Sequence, residues 1–162
     1  MAITEGDRIP DATLLRPGPD GPEEVRLGSL TEGRKVVIFG LPGAFTGTCT
    51  TAHMPSFIRT REQFAEKGVD EVICVAVNDP FVLKAWDEAT GASKGGITLL
   101  GDAASEFTEA MGMSFSVPSR GLVNRSKRYA MVVEDGTVVT LHEEEGPGVC
   151  EVSGGEALLA TL

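Results

Sequence analysis

Residues 35–77 contain the pattern that most restricts the possible fold: a strand, a helix and a second strand in immediate succession. Lys35–Phe39 (KVVIF) is a continuous apolar run, and Glu71–Val77 is a second run rich in β-branched residues. A loop from Gly40 to Gly47 leads from the first run into a helical segment, Thr48–Glu66. Two apolar strands joined through a helix predict a parallel pair with a right-handed crossover. The fold class is therefore α/β.

Shorter elements surround this unit. In chain order we predict a β-hairpin from Asp11–Leu15 and Glu24–Leu27 with a turn at 16–22, a helix from Asp79 to Thr90, a strand at Ile97–Leu100, a helix from Ser105 to Met111, an irregular segment at Gly112–Lys127, a β-hairpin from Tyr129–Glu134 and Thr137–His142, and a helix at Glu156–Leu162. Asp79 and Ser105 are expected to cap their helices, and Pro55 to kink the helix after the loop. The order predicts a thioredoxin-like fold with an N-terminal β-hairpin and a helix–strand insertion.

Composition limits the size and the surroundings of the protein. The 162 residues, 41% of them apolar, suit a single domain spanning 1–162. A net charge of -10 disfavours nucleic acid and anionic membranes as partners. The chain has neither a membrane-spanning apolar run nor the pattern of a signal peptide, and three cysteines are too few for a disulfide framework. We therefore expect a soluble, cytoplasmic protein that uses thiol chemistry.

The loop Pro42–Thr48 (PGAFTGT) delivers Cys49 to the start of the predicted helix. A helix N-terminus presents unpaired N–H groups and the positive end of the helix dipole, so a thiolate is stabilised there without a metal. Cys49 is the leading candidate nucleophile.

Other readings of this loop fit less well. It lacks the lysine of a phosphate-binding loop, and Thr50, Thr51 and Ala52 after Cys49 exclude a C-x-x-C redox pair. Cys49 and His53 have the spacing of metal ligands on one helix face. The remaining possible ligands stand far off in the chain, Cys74 in an apolar strand and His142 and Cys150 in a Glu-rich stretch. We expect no metal and no cofactor, and a supporting structural role for His53.

Several segments together resemble one family, the peroxiredoxins, in their type II or atypical two-cysteine branch. They are Pro42-x-x-x-Thr46-x-x-Cys49, which resembles the active-site motif, the run Phe39–Thr46 (FGLPGAFT), His53 and Pro55, Val75–Phe81 (VAVNDPF), Trp86, and Arg128–Gly136 (RYAMVVEDG). The resemblance covers nearly the whole chain. It departs from the family pattern at Gly47, where proline is common, and at Ser56, where glycine usually follows Pro55.

The resemblance implies a thiol-dependent peroxidase in which the Cys49 thiolate attacks a hydroperoxide and becomes a sulfenic acid. It further implies that Thr46 hydrogen-bonds near sulfur and peroxide, that Arg128 holds the thiolate and polarises the peroxide, and that Pro42 shields the sulfur from water. Arg125 and Lys127 do not match the position of Arg128. A non-enzymatic alternative is a peroxide sensor or a redox-switched chaperone that uses the same cysteine.

The sequence leaves open which thiol reduces the oxidised Cys49. Cys74 has the spacing of a second cysteine in plant-like members, although its strand is apolar, and Cys150 lies in a Gly-rich stretch whose flexibility favours it as the resolving cysteine. Direct reduction by glutathione with glutaredoxin, or by thioredoxin, is the alternative. The resemblance also implies a homodimer formed through loops near the active site, where Leu41, Phe45 and Phe81 are apolar candidates.

Overall fold

The computed structural model describes residues 2–146 and 148–162, with the backbone but not the side chain of Cys49. The strands are β1 (Thr13–Gly18), β2 (Gly21–Arg26), β3 (Lys35–Leu41), β4 (Glu71–Ala76), β5 (Ile97–Gly101), β6 (Ser114–Val117), β7 (Leu122–Ser126), β8 (Tyr129–Glu134) and β9 (Thr137–Glu143). The helices are α1 (Leu27–Thr31), α2 (Met54–Glu66), α3 (Pro80–Thr90), α4 (Glu106–Ala110) and α5 (Gly155–Leu159), with a π-helical turn at Cys49–His53 and a 3₁₀ turn at Pro118–Arg120.

Seven strands form the central sheet in the order β2-β1-β5-β4-β3-β8-β9. The three middle strands, β5, β4 and β3, are parallel, and the outer pairings are antiparallel. Alternate residues of β3 enter opposite apolar layers: Val37 and Phe39 pack with α2, α3 and α5, whereas Val36 and Ile38 pack with α1 and α4. This architecture confirms the thioredoxin-like α/β fold and the parallel strand pair inferred from residues 35–77.

Local sequence signals account for two of the elements. The Asp79 carboxylate accepts from the Val82 N–H at 2.9 Å, as expected of an N-cap, and Pro80 opens α3. Asp135 and Gly136 have φ angles of 48° and 79°, which the two central residues of a tight hairpin turn require. Both predictions are confirmed. Within the part of the chain that the structure describes, no helix is long and apolar enough to cross a membrane.

The prediction of an irregular segment at Gly112–Lys127 is wrong. Two short strands, β6 and β7, pair there as a separate antiparallel sheet, with an irregular register between Phe115 and Val117. The connection is the 3₁₀ turn followed by Gly121, whose φ is 74°. Strands of four or five residues with Ser, Pro and Gly among them carry too little apolar alternation to be recognised in the sequence.

The prediction that Ser105 caps α4 is also wrong. Ser105 has a φ of 62°, and its hydroxyl donates to the Asn124 carbonyl at 2.7 Å rather than bonding the helix. The Asp102 carboxylate takes over the cap, because its side chain accepts from the N–H groups of Phe107 and Thr108 at 3.2 and 2.8 Å.

Other element boundaries shift. The N-terminal hairpin is longer than predicted: Pro17 pairs with Pro22, and the turn shrinks to Pro19 and Asp20. This is tolerated because β2 is an edge strand and β1 pairs with β5 only through Leu15. The short helix α1 was not predicted, and the last helix ends at Leu159. Pro55 is the second residue of α2 and directly follows the π-helical turn Cys49–His53, so the irregular part of this helical segment lies immediately before the proline.

Gly40, near the end of β3, provides a test of how closely β3 packs against β8 before the loop begins. It pairs with Tyr129 of β8, and a Cβ at Gly40 would overlap the Tyr129 ring, which is fully buried. We expect Gly40→Ala to lower the free energy of unfolding by about 1–3 kcal/mol, because the added methyl group forces a buried ring to shift. Urea denaturation measures the change. Gly146→Ala is the control, since no described atom lies within 4 Å of a Cβ there; equal stability of the two variants would contradict the packing.

Candidate active site

The loop after β3 places Cys49 at the start of a helical turn, as the sequence predicts. Leu41 ends the strand, the chain turns through Ala44 and Phe45, and the π-helical turn Cys49–His53 continues directly into α2. The Thr50 N–H donates to the Thr46 carbonyl at 3.1 Å, and the Thr51 hydroxyl donates to the Gly47 carbonyl at 2.8 Å. The backbone of Cys49 therefore lies at the amino end of the helical segment. The Cys49 side chain lies outside the described part of the structure.

Two side chains that the sequence analysis did not identify as functional fix this loop. Arg125 of β7 donates from Nη1 to the Pro42 carbonyl at 2.9 Å, and the Asn78 side-chain oxygen accepts from the Ala44 N–H at 2.9 Å. Pro42 itself is buried. Asn78 lies in the family-like segment Val75–Phe81, and Arg125 lies three residues before Arg128, but neither position marks a contact with the loop.

Thr46 is half-buried in the same loop. Its hydroxyl donates to the Gly43 carbonyl at 2.7 Å, and its N–H reaches the same oxygen at 3.4 Å. This double contact holds the last turn of the loop before the helix. The hydroxyl proton is directed at the backbone, so the Thr46 oxygen faces any other donor as an acceptor.

Arg128 and His53 form the buried polar centre beside the turn. Arg128 is 1% exposed and His53 is fully buried, and Arg128 Nη1 lies 2.9 Å from His53 Nδ1. His53 Nε2 lies 3.0 Å from the Ser153 carbonyl. An arginine can only donate and a carbonyl can only accept, so His53 is neutral, with its proton on Nε2. The structure thus connects Arg128 to the helical turn that begins at Cys49.

The surroundings of His53 keep it uncharged. Its ring packs against Phe39 and Phe57, with centroids 5.0 and 5.6 Å away. Burial, and secondly the positive charge of Arg128, lower the pKa of His53 to about 3. Such an imidazole is a poor general base near neutral pH.

A clamp formed by Glu144 fixes the segment Glu151–Ser153, which carries the carbonyl that His53 contacts. Although it lies in a run of three glutamates, Glu144 is only 7% exposed. Its Oε2 accepts from the backbone N–H groups of Glu151, Val152 and Ser153 at 2.8, 2.9 and 2.7 Å, and from the Ser153 hydroxyl at 2.6 Å. From the sequence, Glu144 is only one member of the Glu-rich stretch around His142 and Cys150, because nothing in such a run distinguishes a buried member.

The other two cysteines lie in different surroundings. Cys74 is fully buried in β4, paired with Phe39 and Leu99, which makes it a core residue. Cys150 is half-buried and lines a surface pocket of about 320 Å³ together with Thr51, Ala52 and Ser56. The Thr48 hydroxyl donates to the Gly148 carbonyl at 3.1 Å, so the Cys150 segment packs beside the turn that begins at Cys49.

Trp86 supports the turn from α3. Its ring is fully buried, and its Nε1 donates to the Thr50 hydroxyl at 3.0 Å. No group of three or more His, Cys, Asp or Glu side chains with the geometry of a metal site occurs among the residues that the structure describes. Around the turn the structure therefore assembles an arginine, a neutral histidine, a threonine and a buried proline. This set suits the chemistry of an activated thiol.

Comparison with known proteins identifies the family to which this arrangement belongs. The Redoxin family model matches residues 4–159. Two rice proteins (Oryza sativa subsp. japonica) are similar over 99% of this chain: chloroplastic peroxiredoxin-2E-2, 43% identical over 72% of its own length, and peroxiredoxin-2C, 40% identical over 98% of its length. The structure of reduced Prx3 from Vibrio vulnificus in complex with hydrogen peroxide superposes with a TM-score of 0.91, at 42% identity and 98% coverage of both chains.

The chain therefore belongs to the Redoxin family and, within it, to the type II peroxiredoxins. It is an enzyme, a thiol-dependent peroxidase.

The low pKa of His53 predicts how stability depends on pH. In the unfolded chain a histidine binds a proton below about pH 6.5, whereas folded His53 stays neutral down to about pH 3. The contribution of His53 to stability is therefore complete above pH 6.5 and is lost as the pH falls toward 3, by on the order of 1 kcal/mol per pH unit. Urea denaturation at pH 7, 6 and 5 should show a shallower loss for His53→Gln than for wild type.

Phe64→Leu is the control, because it removes buried apolar contacts and no ionisable group. It should lower stability by the same amount at all three pH values and keep the wild-type slope. Equal slopes in wild type and His53→Gln would show that His53 takes up its proton in the folded state.

Proposed function

We propose that Cys49 is the peroxidatic residue. Its thiolate attacks one oxygen of hydrogen peroxide or an alkyl hydroperoxide, the O–O bond breaks, and the other oxygen leaves as water or an alcohol after taking up a proton. Cys49 becomes a sulfenic acid. The observation that carries this proposal is the buried Arg128, which is hydrogen-bonded to the last residue of the helical turn that begins at Cys49. The hydrogen peroxide in the similar Vibrio vulnificus structure supports the class of substrate.

Arg128 supplies the positive charge in this proposal. A guanidinium stays protonated at every relevant pH, and one that is almost fully buried acts with little screening by water. Next to a thiolate it lowers the cost of the negative charge on sulfur, and it then stabilises the charge that develops on the leaving oxygen. His53, which is neutral and accepts from Nη1, orients the guanidinium without cancelling its charge.

Thr46 and Pro42 shape the peroxide pocket in the same proposal. Because the Thr46 hydroxyl gives its proton to Gly43, its oxygen serves as an acceptor for the peroxide O–H. Pro42 restricts water at the sulfur, and Arg125, which holds the Pro42 carbonyl, keeps that ring in place.

Substitution of Cys49 and of Cys74 by serine, one at a time, distinguishes a catalytic cysteine from one that only packs in the core. We expect Cys49→Ser to abolish hydroperoxide consumption, because a serine hydroxyl is not ionised near neutral pH. Cys74→Ser should keep a substantial part of the activity, since Cys74 lies in the apolar core. Steady-state peroxide consumption with an added thiol reductant measures both. A Cys49→Ser variant that retains full activity would end the proposal.

For the return to the reduced state we propose an external thiol, glutathione with glutaredoxin, rather than Cys150. A sulfenic acid can condense with any thiol that reaches it. The segment that follows Cys150 directly is held by Glu144 through three backbone N–H groups, which opposes the movement that a disulfide with Cys49 would need. The flexibility expected of this stretch from its sequence does not extend to Glu151–Ser153. A chain that keeps its cysteines as thiols also suits a reducing compartment, and we propose the cytoplasm.

Cys150→Ser tests the reductant. We expect it to turn over with glutathione and glutaredoxin at the wild-type rate, and we expect peptide mapping of peroxide-treated wild type to show no Cys49–Cys150 disulfide. Loss of turnover with thioredoxin, together with that disulfide within one chain, would instead make Cys150 the resolving cysteine.

We also propose a homodimer that forms through the loops next to the turn. Phe45 and Phe81 are 54% and 70% exposed, and the hydrogen bond from the Ala44 N–H to the Asn78 side chain joins the loop of Phe45 to the residues just before α3, which carries Phe81. Leu41, which the sequence suggested as a third contact, is fully buried and is not available. Exposed aromatic rings suit an isologous contact, in which each subunit presents the same residues to its copy.

Light scattering of the reduced protein at micromolar concentration should give the mass of a dimer. Phe45→Ser combined with Phe81→Ser should shift it to a monomer, whereas the exposed Val123, which lies on β7, can be changed to Ser as a control. A monomeric wild type would refute the dimer.

A further inference from the structure

The segment Glu151–Ser153 is bound by both histidines of the chain as well as by Glu144. His53 contacts the Ser153 carbonyl at 3.0 Å, and His142 Nδ1 lies 2.7 Å from the Val152 carbonyl. The chain contains only these two histidines. His53, from the turn before α2, and the neighbouring His142 and Glu144 thus converge on the backbone of three consecutive residues.

The position of the Ser153 carbonyl determines the orientation of His53. Because the carbonyl accepts, it holds the proton of His53 on Nε2 and fixes the plane of the imidazole ring. The opposite nitrogen, Nδ1, then points its lone pair at Arg128 Nη1. If the carbonyl moved, the ring could rotate or change tautomer, and a protonated Nδ1 would repel the guanidinium rather than accept from it.

Glu144 fixes the position of the Ser153 carbonyl. Its carboxylate bonds both the N–H and the hydroxyl of Ser153, and its own N–H donates to the Arg128 carbonyl at 2.9 Å. Glu144 is therefore attached to the backbone of Arg128 on one side and, through Ser153 and His53, to the side chain of Arg128 on the other. Charge-assisted bonds from a buried carboxylate to several N–H groups are among the stronger hydrogen bonds in proteins.

We propose that Glu144 is a positioning residue for Arg128 and acts through Ser153 and His53. Its importance for catalysis rests on the proposed role of Arg128 in peroxide reduction, whereas its effect on His53 follows from the geometry alone. The closed path from Arg128 through Glu144, Ser153 and His53 back to Arg128 restricts the guanidinium to one orientation. Misplacement of a catalytic charge by about 1 Å can cost on the order of 100-fold in rate.

Three variants test the proposal. Glu144→Ala removes the acceptor, and we expect the rate constant for oxidation by hydrogen peroxide to fall by about tenfold or more. Glu144→Gln keeps an acceptor without the charge and should recover part of the rate. Glu145→Ala changes an exposed neighbour in the same glutamate run and should stay within about twofold of wild type. The single Trp86, which bonds Thr50 beside Cys49, provides a fluorescence signal for the oxidation.

A second readout distinguishes positioning from general loss of structure. Imidazole ¹⁵N NMR, with the His53 signals assigned by comparison with His142→Gln, should show the Nε2–H tautomer in wild type and in Glu145→Ala. Glu144→Ala, or Glu144→Gln where the alanine variant does not fold, should lose that tautomer or mix it with the other. Circular dichroism checks the fold.

The rate and the tautomer must change together. A Glu144→Gln or Glu144→Ala variant that keeps both at the wild-type value would overturn the proposal, as would a slower variant whose His53 tautomer is unchanged. If wild type itself consumed no peroxide, the proposed function would fail, and the NMR comparison alone would decide whether Glu144 controls His53.

Discussion

The hydrogen bond between Arg128 and His53 is the contact on which the arrangement of the site depends. A guanidinium that is 1% exposed must be satisfied by acceptors, and a charged partner would cancel its effect on a nearby anion. A neutral imidazole accepts one of the guanidinium N–H groups without bringing a negative charge. Burial against Phe39 and Phe57 keeps His53 neutral, so the apolar core of the sheet contributes directly to the electrostatics of the turn.

The fold places these groups together by topology rather than by proximity in the chain. Arg128 immediately precedes β8, which pairs with β3, and β3 leads into the loop and the turn Cys49–His53. The strand register that aligns Gly40 with Tyr129 therefore also brings Arg128 beside the end of β3. Because α5 and the segment before it pack on α2, the Ser153 carbonyl reaches the far side of His53.

The sequence predicted the features that local chemistry controls and missed those that depend on long-range contacts. The apolar runs, the Asp79 cap and the Asp135-Gly136 turn were readable because each acts within a few residues. Cys49 was readable from its place at a helix start, whereas the roles of Thr46, Pro42 and Arg128 depended on the family resemblance. An arginine before a strand shows nothing in the local sequence that predicts its burial. Arg125, Asn78 and Glu144 went unrecognised because their partners lie 83, 34 and 7–9 residues away.

Trapping of the oxidised thiol tests the central claim most directly. Reduced protein treated with one equivalent of hydrogen peroxide in the presence of dimedone, then digested and analysed by mass spectrometry, reports which sulfur becomes a sulfenic acid. We expect a dimedone adduct on Cys49, with Cys74 and Cys150 unmodified. An adduct on Cys74 or Cys150 with Cys49 unchanged would contradict it.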